Sequence, residues 1–146
     1  MAMKRDIADA IVSKLNTIAA LNSVNFGKVR MSTDDFRIDE FPAVQIYNVE
    51  ESRRHLQRRI EVNWQLNMEI MMRTTTDGAV ELRDLWDLED TIEDTLWSDP
   101  KIGLTSGFIH LIHNGSFTVL PLDDNVYIQT IRISALYLKD LVGTCT

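Results

Sequence analysis

The sequence predicts an α+β fold: a largely antiparallel (mixed) sheet with two main amphipathic helices packed on it, in the order α-β-β-β-α-β-β-β. Three observations predict it. Residues 60–72 alternate apolar and polar side chains with a period of two, the pattern of a strand with one buried face. Segments 4–22 and 79–97 instead repeat apolar residues at three- and four-residue spacing, which marks helices with one buried stripe. The strand-like segments come in two runs, each after a helix, rather than alternating singly with helices, so a parallel α/β sheet is disfavoured.

From Lys4 to about Asn22, the residues Ile7, Ala8, Ile11, Leu15, Ile18, Ala19 and Asn22 fall on one face of a helix, and Arg5, Asp9 and Lys14 fall elsewhere. Val24 to Met31 reads as a short strand interrupted by Gly27. A polar loop over 32–42 follows, and Pro42 favours an extended approach to the next strand. That strand is the β-branched and aromatic run 43–50. In the third strand Ile60, Val62, Trp64, Leu66, Met68, Ile70 and Met72 share one face, opposite Glu61, Asn63, Gln65, Asn67 and Glu69. Each large apolar side chain contributes roughly 1.5–3 kcal/mol on burial, so this row dominates the core and must lie under helices.

The helix predicted over 79–97 carries Leu82, Leu85, Trp86, Leu88, Ile92, Leu96 and Trp97 as its apolar stripe, with Thr76 or Asp77 as cap and Pro100 after its end. In "FIHLIHNGSFTVL", Asn114-Gly115 between two β-rich runs predicts a two-residue hairpin turn and hence two strands. A last long strand over 126–138 places Ile131, Ile133, Ala135 and Tyr137 on one side and Thr130, Arg132 and Ser134 on the other, and is expected beside the first long strand. Residues 1–138 are expected to form a single domain and 139–146 a flexible C-terminal tail.

Composition narrows the function classes. At 146 residues and 45% hydrophobic, the chain can bury one core without staples. No apolar run approaches the roughly 20 residues of a membrane span, and no apolar stretch follows Lys4 and Arg5 as in an export signal, so synthesis in the cytoplasm is expected. A lone cysteine, Cys145, permits neither an intrachain disulfide nor a cysteine metal site. The net charge is -7, and residues 77–99 concentrate it, with nine Asp/Glu against one Arg. An acidic chain is a poor phosphate grip, because that affinity comes from Lys and Arg.

Chemistry-bearing motifs are not found. His110 and His113 are three apart on a predicted strand and therefore point to opposite faces. Neither glycine-rich phosphate-binding pattern occurs. Asp34, Asp35, Asp39 and Glu40 crowd one loop, but their spacing matches no calcium loop, and solvated acidic loops are common. The reading is therefore of a non-enzyme with no catalytic residue, cofactor or metal ligand. A small metal-dependent enzyme using Asp34, Asp35 and Asp39 is its alternative from another class.

Two charged features stand out instead. The connection 50–59 contains no Gly, Pro, Asn or Asp and concentrates Arg53, Arg54, Arg58 and Arg59. The helix over 79–97 sets Glu89 four residues from Glu93 and Asp90 four from Asp94, each pair unfavourable by roughly 0.2–0.5 kcal/mol. An interface between the four arginines of one copy and Asp87, Asp90, Glu93 and Asp94 of the next is head to tail, the kind that closes into rings. Solvated charge on both elements is the plainer alternative.

The leading helix, "FPAVQIYNVEES", the arginine-bearing hairpin, the long alternating strand, the "ELRDLWDLEDTIEDTLWSD" helix and a last strand ending "SALYLKD" together resemble the tail-terminator or tail-completion proteins of tailed bacteriophages, over about residues 4–140. The resemblance implies a structural virion protein of the tail or neck. Such subunits form a ring, typically a homohexamer, that caps the head-proximal end of the tail tube. Its partners are then other copies of itself, the tail tube protein and the neck or connector proteins, with DNA crossing the lumen without tight binding and no membrane involved. A head-closure or neck protein of the same virion is the nearest rival, and an acidic module that covers a basic, nucleic-acid-binding partner is a further one.

Overall fold

The computed structural model describes residues 3–27, 40–73, 82–99, 101–104, 108–119 and 126–140. The chain runs α1 (Met3–Leu15), β1 (Ser23–Phe26), β2 (Ala43–His55), β3 (Arg59–Arg73), α2 (Leu82–Trp97), β4 (Phe108–Val119) and β5 (Val126–Asp140). The α+β class and the element order agree with the sequence, except that two strands rather than three follow α2. One five-stranded sheet has the order β1-β2-β3-β5-β4. β1 joins β2 in parallel, and the other pairs are antiparallel, with β3 and β5 side by side along their full length.

Both helices lie on one face of the sheet because the period-two rows of the long strands point there. Ile60, Val62, Trp64, Leu66, Met68 and Ile70 of β3 meet Ile131, Ile133, Ala135 and Tyr137 of β5, Val44 and Ile46 of β2, and the stripes Ile7, Ile11, Leu15 of α1 and Leu85, Leu88, Ile92, Leu96 of α2. The opposite face is polar along its middle. There Gln45 Nε2 donates to Glu69 Oε1 at 2.7 Å and Asn67 Nδ2 to the Tyr47 hydroxyl at 3.4 Å, each across the β2–β3 ladder. Toward one end that face carries a small apolar cluster of Phe41, Ala43, Met71 and Val126.

Three expectations are corrected. First, Asn114-Gly115 does not turn the chain. The two runs around it are one strand, β4, and pairing with β5 passes from His113↔Ile133 to Ser116↔Ile131, so β4 holds one extra residue as a bulge. Gly115 still supplies the positive φ of 116° that the dipeptide promises. The continuous β5 offers pairing on both sides of it, and that pairing decides the outcome.

Second, α1 ends at Leu15 rather than near Asn22. The Thr17 hydroxyl donates to the Lys14 carbonyl at 2.6 Å, and tight turns then lead to Asn22, whose side chain donates to the Phe41 carbonyl at 2.6 Å. Ile18 keeps its place in the core even so. Third, Trp86 is 45% exposed and lies off the buried stripe of α2. The first short strand occupies Ser23–Phe26 and stops at Gly27, whose φ is +82°. Residues 28–39, including Asp34, Asp35 and Asp39, the cap candidates Thr76 and Asp77, and Pro100 lie outside the described residues, as do 141–146.

Candidate assembly surfaces

The arginine-bearing connection is a hairpin with a two-residue turn. Leu56 N donates to the Arg59 carbonyl at 2.8 Å, Arg59 N returns to the Leu56 carbonyl at 3.4 Å, and Gln57 and Arg58 occupy the turn without positive φ. Primed turns match strand twist and need positive φ, so this one is built without the usual hairpin chemistry. The outer edge of β2 beyond Ile46, where β1 stops, has no strand partner among the described residues.

Strand alternation separates the four arginines. Arg53 lies on the helix side, with its Nη2 3.2 Å from Glu51 Oε1. Arg54, opposite Glu61, lies on the polar face. Arg58 is exposed at the turn, and Arg59 begins β3 opposite Asp140. Neither Arg54 nor Arg58 makes an ion pair with a described residue.

The root of the hairpin is clamped to α1. A register shift between Asn48 and Glu50 leaves Val49 unpaired and turns Glu51 to the helix side opposite Trp64. Lys4 Nζ reaches Glu51 Oε2 at 2.8 Å and stands 5.3 Å from the centroid of the Trp64 ring. Trp64 in turn donates to Asn48 Oδ1 at 2.6 Å and packs on Phe26. The hydrogen bond from Lys4 holds the Glu51 carboxyl below its ordinary range, with the charges of Lys4 and Arg53 adding to it against the cost of burial. Burial raises the Tyr137 hydroxyl above its usual range, and the nearby Glu51 charge adds to that.

The acidic residues lie on α2, which packs on α1, β3 and β5 and meets β4 at Glu93 and Trp97. Asp87, Asp90 and Asp94 are exposed on α2. Glu93, half-buried, meets His113 of β4, with Oε1 3.0 Å from Nε2. His113 also packs on Trp97, ring centroids 5.2 Å apart, while the Trp97 indole donates to the Leu111 carbonyl at 3.2 Å. Glu93, Asp94, Trp97 and His113 line an open cleft of about 450 Å³. His110 and His113 do occupy opposite faces, since their β5 partners are Leu136 and Ile133. Among the described residues no three His, Cys, Asp or Glu side chains converge as a metal site would require.

Sequence reasoning missed this cleft. Its signal was His113 on the helix-facing row of β4, where a polar side chain needs a partner from α2.

Neither a family model nor a curated protein matches the chain. Among solved structures, the chain is similar in fold to a chain from the virion of a native gene transfer agent particle. The two are 10% identical, with a TM-score of 0.62 over 90% of this chain and 94% of that one.

Proposed function

We propose that the protein is a structural virion subunit, a tail terminator that forms a ring, hexameric by the resemblance, at the head-proximal end of a tail tube and joins it to the neck. The observation that carries this reading is the fold shared with a virion chain along nearly the whole of both chains. The distribution of charge supports head-to-tail assembly. Arginines at the tip of the β2–β3 hairpin and carboxylates on α2, where it meets His113 of β4, are separated along the strands of one subunit, so each seeks its counterpart on another copy.

The subunit's role is mechanical and not enzymatic. Its partners are further copies, tail tube subunits and neck or connector proteins. A net charge of -7 suits a lumen that DNA must cross, because a passage that binds phosphates would hold the DNA back.

The test is the molar mass of the purified protein, alone and with short tail-tube polymers, followed by imaging of any complex. Rings at tube ends are expected. Rings that bind portal or adaptor subunits but ignore tubes would transfer the protein to the neck, and a chain that stays monomeric with both would overturn the assembly reading.

A further inference from the structure

The cleft between α2 and β4 has the composition of a cation receptor. Glu93 and Asp94 supply carboxylates, and Trp97 supplies an aromatic ring fixed by its bond to the Leu111 carbonyl. His113 holds Glu93 by one oxygen, Oε1. One turn earlier on α2, Glu89 Oε2 is buried and has no hydrogen-bond partner among the described residues. It extends the acidic face of α2 beyond the cleft and is no part of the cleft's lining. Carboxylates beside an indole face select a planar guanidinium over an ammonium, since the guanidinium makes paired hydrogen bonds and stacks at once.

The chain carries such groups at the tip of its own β2–β3 hairpin. His113 of the cleft pairs with Ile133, which pairs with Leu66, seven residues or about 23 Å along β3 from the Arg59 end of the turn, so Arg58 cannot reach its own cleft. Arg58 is exposed at the turn and makes no ion pair with a described residue.

We infer that the Glu93, Asp94 and Trp97 cleft is a guanidinium socket that receives Arg58 of a second copy of this chain. The assignment rests on the head-to-tail assembly proposed above and identifies its contact. Arg58 enters as the only member of its cluster at the turn itself, while Arg53 stays with Glu51 on the helix side of the hairpin.

The experiment is a double-mutant cycle on the self-association constant, measured by sedimentation for the full chain, Arg58→Ala, Glu93→Gln with Asp94→Asn, and all three together. Each change is expected to weaken association at least tenfold, and the combination should be no weaker than the worse of the two, because both remove one contact. Effects that multiply, or variants that assemble like the parent, overturn the socket and leave the ring reading standing on other contacts. A parent chain that remains monomeric overturns the ring reading and the copy-to-copy contact with it.

Titration with Nα-acetyl-arginine amide, followed at the Trp97 indole resonance, separates the two failures. A saturable shift that the Glu93→Gln, Asp94→Asn chain loses, and that acetyl-lysine amide reproduces only weakly, supports a guanidinium socket whatever the oligomeric state. No shift overturns it.

Discussion

Replacing Lys4 by Met tests whether α1 sets the root of the arginine hairpin. Met keeps the aliphatic stem and removes two interactions, the ion pair to Glu51 at 2.8 Å and the ammonium over the Trp64 ring at 5.3 Å. The ion-pair side chains are 41% and 28% exposed, so solvent screens them and the pair contributes about 0.5 kcal/mol. An ammonium over an indole at a part-exposed site adds about 0.5–1 kcal/mol. Lys4→Met therefore costs about 1–1.5 kcal/mol, or roughly 3–5 °C in Tm at this chain length, whereas Glu51→Gln keeps the ring contact and costs about 0.5 kcal/mol.

Thermal and urea unfolding at low protein concentration measures both, and acid supplies an internal check. The Glu51 carboxyl titrates below its ordinary 4.5 in the folded state, so the unfolded chain binds its proton first as pH falls. The pair's stabilisation is complete above pH 4.5 and disappears as pH drops through the lowered folded value. Lys4→Met should be less sensitive over that window than the parent. Equal losses in Lys4→Met and Glu51→Gln would refute the ring contact, and an unchanged acid limb in Lys4→Met would refute the ion pair.

Tyr137 gives the alkaline counterpart: burial raises its hydroxyl above 10.0, so stability present below pH 10 is lost as pH climbs past it, and Tyr137→Phe should lose less there in equilibrium unfolding. Ile92, fully buried where α2 meets the sheet, should cost about 2–5 kcal/mol on truncation to Ala by urea unfolding, enough to leave part of the chain unfolded at 37 °C. On the polar face, Gln45→Leu strands the Glu69 oxygen it bonds and should cost about 1–3 kcal/mol, whereas Asn63→Leu removes a buried Oδ1 that has no partner among the described residues and should be neutral or stabilising in the same assay.

The long strands were legible because their period-two rows run uninterrupted through Ile60–Met72 and Ile131–Tyr137, and one face had to be covered. What misled was local chemistry judged without its partner. Asn114-Gly115 has the composition of a turn, but the backbone freedom it offers serves a bulge equally well, and only the presence of a continuous β5 chooses between them. Trp86 fits the helical spacing as well as Leu85 does, yet α2 has one buried stripe and Leu85 occupies it. The arginines were legible as a cluster and not as an arrangement. Strand alternation sets Arg53 and Arg54 on opposite faces, but the unpaired residue at Val49 decides which of them lies on the helix side, and that bulge has no sequence signal. The cleft was half legible: Glu93 and Asp94 stood out by charge, whereas Trp97 and His113 meet across 16 residues of chain.

The charge distribution also sets how assembly should respond to salt. Two copies at -7 each repel over distances that ions screen, about 30 Å at 0.01 M and about 10 Å at 0.1 M ionic strength. The contact between the Arg58 turn and the α2 carboxylates acts at hydrogen-bond range, where a partly buried pair is screened much less. Adding salt to a dilute buffer should therefore first strengthen self-association by removing the long-range repulsion. It should weaken association only as screening reaches the contact itself, at several tenths molar. The optimum should move to lower salt in Asp87→Asn with Asp90→Asn, exposed carboxylates that do not line the cleft, because less repulsion then has to be screened. Association that falls monotonically from the lowest salt would mean that opposite-charge contacts dominate at every range, and the net charge would then have no part in controlling when copies join.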